Sequence, residues 1–188
     1  SVHYKKLRGV ITIMKKVVKF GGSSLANAEQ FQKVGEIIRS EESRRYVVPS
    51  APGKRFDGDT KVTDMLYACY GAAEAGEDFS GKLQAIKMRF QEIIQGLSLD
   101  LSLDREFEQI AADFSAHAGK EYAASRGEFL NGKVMAAYLG YEFVDAAEVI
   151  RFDKNGVLEA EKTNRLLEKR LAKCEKAVIP GFYGACAD

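Results

Sequence analysis

The stretch of sequence that decides the fold is Val17-Val18-Lys19-Phe20-Gly21-Gly22-Ser23-Ser24. Its apolar run is typical of a β-strand, its glycine pair predicts a tight turn, and a helical pattern follows. Glycines let the backbone approach a ligand closely, and the amide groups at the start of a helix form an anion site. The lysine adds a positive charge beside them. The stretch therefore predicts a phosphate site on a strand, turn and helix.

The order of these residues differs from both standard phosphate-binding loops. In the Walker pattern the lysine follows the glycines, and the dinucleotide-binding pattern requires a third glycine at a fixed distance. Here Lys19 precedes Gly21 and Gly22. The pattern by itself leaves open that the two glycines serve only the geometry of the turn.

Length and charge limit the classes of protein to consider. The chain has 188 residues, of which 46% are hydrophobic, enough for one domain or most of a larger one. Its 28 basic and 27 acidic side chains leave a formal net charge of +1. Because this charge creates no general attraction for anionic polymers or surfaces, we expect no nucleic-acid partner and no membrane partner.

The cysteines and histidines are few and far apart. Cys69, Cys174 and Cys186 are odd in number, which favours reduced thiols and a cytoplasmic location over a disulfide framework. His3 and His117 are the only histidines. Their scarcity argues against a histidine-based zinc site and against a Ser-His-Asp hydrolase, so we expect no metal site built from the protein's own side chains.

Residues 1–13 differ from the rest of the chain. They are basic at Lys5, Lys6 and Arg8, and the apolar run at 10–14 is too short for a signal peptide or a membrane-spanning helix. Met14 is a natural start. We therefore interpret residues 1–13 as an N-terminal extension or cloning remnant, with an additional strand as the alternative.

From residue 14 onward, strand patterns alternate with helical patterns. This alternation predicts an α/β fold, a mostly parallel sheet with helices on both faces. We expect Asn27, Asp104 and Thr163 to cap three of the helices. The predicted strands are 17–20, 46–49, 142–145 and 177–180, and the predicted helices begin near 27, 60, 79, 104, 125 and 163.

The second predicted strand ends in a loop that matters for function. A helix separates it from the first strand, so the two strands are expected to be parallel. The carboxyl ends of parallel strands meet at one edge of the sheet, where ligands bind. The loop after Pro49 and the glycine turn should therefore face one crevice.

A glycine interrupts the long helical pattern that ends near Leu139. Gly127 lies between Arg126 and Glu128, and a glycine inside a helix costs roughly 1 kcal/mol relative to alanine. Close packing or a ligand contact would explain it. The alternative is a solvated, charged turn that tolerates glycine.

Taken together, four motifs resemble those of the aspartokinases in the amino-acid kinase family. The opening signature Lys-Phe-Gly-Gly-Ser/Thr-Ser is matched at residues 19–24. The other three matches are Val48-Pro49-Ser50-Ala51 with Lys61-Val62-Thr63-Asp64, Ser125-Arg126-Gly127-Glu128, and Pro180-Gly181-Phe182-Tyr183-Gly184. Their correct order along the chain makes the resemblance far more specific than any one motif.

The resemblance implies an amino-acid kinase (carbamate kinase-like) fold and phosphorylation of the β-carboxylate of L-aspartate by ATP, with Mg²⁺ carried on the nucleotide. This reaction begins lysine, threonine and methionine biosynthesis. By resemblance, Lys19 would neutralise the transferring phosphoryl group, and Glu128 would meet the ammonium of the substrate. The residues implied to hold phosphate are Lys19, Gly21, Gly22 and Ser23, and those implied to line the aspartate site are Ser50, Thr63, Glu128 and Phe182. We further expect a homo-oligomer.

One family segment has no counterpart in this sequence. Family members continue after Pro-Gly-Phe-x-Gly with Gly-Arg-Gly-Gly-Ser-Asp and with most of the nucleotide pocket. We therefore expect residues 14–188 to be the N-terminal, substrate-side part of a truncated kinase domain that is inactive alone. The alternatives are another amino-acid kinase, acting on glutamate or acetylglutamate, and a non-catalytic binding or assembly module.

Overall fold

The computed structural model describes residues 14–186 and has an α/β architecture. The predicted extension, residues 1–13, lies outside the described residues. The strands are β1 (Lys16–Phe20), β2 (Arg44–Pro49), β3 (Glu142–Phe143), β4 (Arg151–Phe152), β5 (Ala177–Val178) and β6 (Ala185–Cys186). The α-helices are α1 (Ala28–Arg39), α2 (Val62–Glu74), α3 (Ser80–Gly96), α4 (Asp104–Ser115), α5 (Lys120–Leu139), α6 (Ala146–Val149) and α7 (Ala160–Leu171).

The main sheet has the strand order β1-β2-β5-β3, and every neighbouring pair is parallel. The predicted parallel pairing of the first two strands is confirmed, with Phe20 opposite Pro49. A second, two-stranded parallel sheet joins β4 to β6. Sequence analysis missed this sheet because strands of two residues are too short to show an alternating pattern.

Helices cover both faces of the main sheet, as predicted. Neighbouring residues of a strand point to opposite faces, and Tyr46 and Val47 of β2 accordingly belong to different hydrophobic clusters. Val47 packs in the large cluster built mainly from α1 to α5. Tyr46 packs in the smaller one, where Leu166 and Leu167 of α7 lie.

The structure confirms one of the three predicted helix caps. Asn27 caps α1, because its side chain accepts a hydrogen bond from the amide of Gln30. The prediction for Thr163 is wrong, since this buried residue lies within α7 and its hydroxyl accepts a hydrogen bond from the amide of Arg151 at 3.0 Å. Asp104 is the first residue of α4 rather than its cap.

The elements after α4 also differ in extent from the prediction. Helix α5 begins at Lys120, earlier than expected, and ends at Gly140, whose φ of +70° is readily adopted by glycine. The third predicted strand stops at Phe143, because the side chain of Asp145 instead caps α6 by accepting a hydrogen bond from Ala147.

Two simpler observations complete the description. No helix within residues 14–186 is long and apolar enough to span a membrane. Cys69, Cys174 and Cys186 are free thiols. Burial raises the pKa of the Cys69 thiol to about 11, so this side chain behaves as a small apolar group at neutral pH.

Candidate active site

The loops that follow β1 and β2 line one cavity of about 420 Å³. This arrangement agrees with the crevice that the parallel strands predicted. Among the residues singled out in the sequence, the cavity brings together Gly22, Ser23, Ser50, Thr63 and Glu128. The remaining lining residues are Ala51, Pro52, Gly53, Lys54 and Lys61.

The two loops are joined directly through their backbones. The amide of Ser50 donates to the carbonyl oxygen of Phe20 at 3.0 Å, and the amide of Gly53 donates to that of Gly22 at 2.8 Å. A Cβ atom at Gly22 would lie 2.8 Å from the carbonyl oxygen of Ala51, and one at Gly53 would lie 2.6 Å from the carbonyl carbon of Gly22. The backbones are too close for any side chain, which explains why both positions are glycine.

The turn does not lead straight into an α-helix. Gly22–Leu25 form a single turn of 3-10 helix, and α1 starts only at Ala28. The amide groups that directly follow the glycine turn therefore belong to a 3-10 helix and not to the α-helix that the sequence predicted.

Glu128 supplies a buried negative charge at the cavity. Only 7% of this residue is exposed, and its Oε1 atom accepts a hydrogen bond from the amide of Ala51 at 3.3 Å. Its Oε2 atom is buried and has no hydrogen-bond partner among residues 14–186. Burial raises the pKa of the Glu128 carboxyl, while the nearby positive charge of Lys19 opposes that rise. A buried carboxylate oxygen without a partner is suited to binding a cation.

The neighbouring glycine allows this carboxylate to reach the cavity. A Cβ atom at Gly127 would lie 2.8 Å from the Cβ of Ala51 and 3.3 Å from the Cδ1 of Leu66. Close packing of α5 against the β2 loop and against α2 therefore explains the glycine inside the helix, one of the two reasons expected from the sequence.

Asn131 is a further site residue that sequence analysis did not identify. It is fully buried, and its Nδ2 atom donates a hydrogen bond to the carbonyl oxygen of Ser50 at 2.7 Å. Because it follows Glu128 by three residues, it lies on the same face of α5. This spacing was the available signal in the sequence.

Lysines surround the cavity. Lys54 and Lys61 line it with exposed side chains, and neither was assigned a role from the sequence. Lys19 is exposed at the end of β1 and close enough to Glu128 to affect its pKa. The cavity thus combines one buried carboxyl group with two lysine side chains, and a third lysine, Lys19, lies nearby.

Lys19, Gly21 and Phe182 are not among the residues that line this cavity. Phe182 is 88% exposed with a φ of +72°. It lines a different cavity of about 980 Å³, together with Tyr183 and Arg126. The structure therefore does not place Phe182 beside Glu128.

Comparisons with known proteins agree with this geometry. The amino acid kinase family model matches residues 14–188. Aspartokinase 3 of Bacillus subtilis is 36% identical over 187 residues, which cover 92% of this chain and 41% of the relative. The crystal structure of Clostridium acetobutylicum aspartate kinase shares 46% identity and a TM-score of 0.87, covering 90% of this chain and 39% of that one.

A third similar protein was solved with ligands. The structure of E. coli aspartokinase III in complex with lysine and aspartate has a TM-score of 0.71 and 25% identity, covering 90% of this chain and 41% of that one. The chain thus spans about two fifths of the length of these relatives. The match of the family model over residues 14–188 shows that the chain belongs to the amino acid kinase family.

Proposed function

We propose that this chain supplies the amino-acid and phosphate contacts of an aspartate kinase, which transfers the γ-phosphoryl group of ATP to the β-carboxylate of L-aspartate. The observation that carries the proposal is the buried Oε2 atom of Glu128, which has no hydrogen-bond partner within residues 14–186 and lies at a cavity lined by Lys54 and Lys61. Family membership and the similarity to aspartokinases support the same reaction.

Glu128 selects for a free ammonium group. An α-amino acid carries such a group, which would satisfy Oε2 and compensate for the burial of the carboxylate. The acceptor acetylglutamate has an amide in place of the ammonium, and a neutral amide brings no positive charge to compensate for the burial of the Glu128 carboxylate. Glutamate would satisfy Glu128 and differs from aspartate by one methylene, so the choice of aspartate rests on the similarity to aspartokinases.

The hydroxyl contacts to the substrate come from the two ends of the connection between β2 and α2. Ser50 lies directly after β2 and Thr63 lies in the first turn of α2, and both line the cavity. We assign them to the carboxylate groups of aspartate. Phe182 keeps its proposed role in the aspartate site only if the loop that carries it moves toward Glu128.

The lysines and the glycine turn form the phosphate side. Lys19 would neutralise charge on the transferring phosphoryl group, and Gly21, Gly22 and Ser23 would hold it through backbone and hydroxyl donors. A carboxylate nucleophile is already ionised at neutral pH, so no general base is needed. One aspartate oxygen forms a bond to the γ-phosphorus while the bond from that phosphorus to the bridging oxygen breaks, giving 4-phospho-L-aspartate and ADP.

The residues present fit a magnesium ion that arrives with the nucleotide. Glu128 is the single acidic residue that lines the cavity, and residues 14–186 contain no group of three side chains suited to holding a metal. Mg²⁺ supplies charge neutralisation on the phosphates when bound. By resemblance to aspartokinases, the product enters lysine, threonine and methionine biosynthesis. On the same ground, we propose that the enzyme is a homo-oligomer located in the cytoplasm.

The acceptor can be identified by trapping the product. The protein encoded by the full open reading frame would be incubated with ATP, hydroxylamine and either L-aspartate, L-glutamate or N-acetyl-L-glutamate. Hydroxylamine converts an acyl phosphate into a hydroxamate with release of phosphate, and added ferric chloride then forms a coloured complex with the hydroxamate. We expect colour with aspartate alone. Colour with N-acetylglutamate would contradict the role of Glu128. Colour with glutamate alone would show that glutamate, and not aspartate, is the acceptor.

The 188-residue chain should behave differently from the full reading frame. It contains no Gly-Arg-Gly-Gly-Ser-Asp segment, and loss of orientation between reactants costs roughly 7 to 11 kcal/mol. We expect it to bind aspartate in calorimetry without forming hydroxamate. If the full reading frame also binds aspartate without turnover, the protein is a binding module instead of a kinase.

A further inference from the structure

A buried arginine lies behind the phosphate side of the cavity. Arg89 on α3 is 4% exposed, and it occupies the apolar face of the helix between Ile86 and Ile93. A charged side chain at such a position is costly unless its donors are satisfied. Its partners therefore indicate what it does.

Arg89 holds the loop that connects β2 to α2. Its Nη2 atom donates to the carbonyl oxygen of Gly53 at 2.9 Å, and its Nη1 atom donates to that of Thr60 at 3.1 Å. Nη1 also contacts the carboxylate of Asp59 at 3.2 Å. The guanidinium thus joins the beginning and the end of the loop.

A second arginine closes this cluster from the outside. The Nε atom of Arg55 donates to Asp59 Oδ2 at 2.9 Å, and its Nη1 atom donates to Glu92 Oε2 at 3.0 Å. Bonds from Arg55 are the main reason that the pKa of Asp59 lies well below its usual range. The Asp59 carboxylate therefore stays charged at neutral pH.

Gly53 connects this cluster to the phosphate turn. Its amide donates to the carbonyl oxygen of Gly22, and its own carbonyl oxygen accepts from Arg89. Lys54 directly follows Gly53, and Lys61 directly follows Thr60. Each of these cavity lysines is thus the chain neighbour of a carbonyl group that Arg89 fixes.

A different element holds the start of the same loop, directly after β2. The carbonyl of Ser50 is bound by Asn131, and the amide of Ala51 is bound by Glu128, both on α5. The amino-acid side is therefore fixed from α5, whereas the phosphate side is fixed from α3.

We propose that Arg89 is a positioning residue for nucleotide, which keeps Lys54, Lys61 and the Gly22 turn in place to receive the phosphate groups. It acts through Gly53 and Thr60 and contacts no substrate itself. This inference rests on the proposed kinase function and adds that the two halves of the site are anchored separately, so that they can be disturbed separately.

The test compares steady-state kinetics of Arg89→Met, Arg89→Lys and Asn131→Ala in the protein encoded by the full open reading frame. Arg105→Met, which changes an exposed arginine on α4, is the matched control. For Arg89→Met we expect a rise in the KM for ATP of about tenfold and a fall in kcat of up to roughly 100-fold, as for misplaced reactive groups. The KM for aspartate should change less than about twofold, which is smaller than the change expected when a direct contact to aspartate is lost.

The other variants sharpen the comparison. Asn131→Ala should raise the KM for aspartate more than that for ATP, and Arg105→Met should change neither. Arg89→Lys should recover part of the lost rate, because lysine keeps the charge but not the forked geometry. If Arg89→Met unfolds the protein, Asp59→Asn removes the loop side of the same contact and should shift the kinetics in the same direction.

A second readout does not depend on catalysis. Trypsin cuts after Lys54, Arg55 and Lys61, which lie in the loop that Arg89 holds. If Arg89→Met frees this loop, trypsin should cleave it faster in the Arg89→Met variant of the 188-residue chain than in the Arg105→Met variant. Unchanged ATP kinetics, or equal shifts in both KM values, would overturn the positioning role. If the parent enzyme has no kinase activity, the proposed function fails, and unchanged cleavage would then overturn the anchoring role as well.

Discussion

The carboxylate of Glu128 accepts a hydrogen bond from the backbone amide of Ala51 at 3.3 Å, although 77 residues separate the two in sequence. This contact attaches α5 to the loop after β2. It uses only one oxygen of the carboxylate, and the other oxygen is buried without a partner among the described residues. That second oxygen is therefore available to accept a hydrogen bond or to pair with a cationic group.

Replacing Glu128 by glutamine should weaken aspartate binding much more than nucleotide binding. The change removes the negative charge opposite the ammonium, and loss of one partner in a buried charge pair costs roughly 2 to 5 kcal/mol. Calorimetric titration with each ligand measures the two affinities. Glu121→Gln, at an exposed position of the same helix, is the control. Equal weakening of both ligands would indicate general loss of structure instead.

The same substitution should stabilise the protein without ligand at neutral pH. Burial raises the pKa of Glu128 in the folded state, so the folded state binds this proton to a higher pH than the unfolded state. Stability is therefore lost as the pH rises through the raised pKa. Urea unfolding at pH 7 should show Glu128→Gln more stable than the parent, with the difference disappearing near the usual pKa of glutamate, about 4.3. If the stability difference between Glu128→Gln and the parent instead grew as the pH fell, the pKa of Glu128 would be lowered in the folded state.

Lys19→Ala should reduce the kcat of the protein encoded by the full open reading frame, with little loss of stability. The side chain is exposed at the end of β1, so it contributes charge rather than packing. Loss of one electrostatic stabiliser of a transition state lowers kcat by about 100-fold or more. Lys16→Ala, at the start of the same strand, removes a surface ion pair with Glu41 and should leave kcat unchanged. Equal rates for the two variants would remove Lys19 from the site.

Two glycine-to-alanine changes should have opposite effects on the free energy of unfolding. At Gly127 the added methyl group would meet Ala51 and Leu66, and such overpacking costs typically about 1 to 3 kcal/mol. At Gly71, inside α2, nothing lies within 4 Å, so alanine should add about 1 kcal/mol through its helix propensity. Denaturant unfolding of both variants measures these changes. Destabilisation by Gly71→Ala would contradict the assignment of open space there.

The sequence by itself determined the elements whose patterns are local. The apolar runs at β1 and β2, the cap at Asn27 and the stop at Gly140 all depend on neighbouring residues, so periodicity and turn chemistry revealed them. The parallel pairing of β1 with β2 followed from the helix between them. The family followed from four motifs in a fixed order, and residues from three of these motifs line one cavity.

Only the tertiary structure decided the roles of Arg89, Asn131 and Thr163. Their partners lie 36, 81 and 12 residues away in the sequence, and no local pattern carries that information. The close approach of Gly22 and Gly53 is likewise decided by tertiary structure, because these residues belong to two different loops. A buried polar group must find a partner wherever the fold places one, because water cannot reach it there. The identity of that partner is therefore fixed by packing of the whole chain and not by the residues beside it.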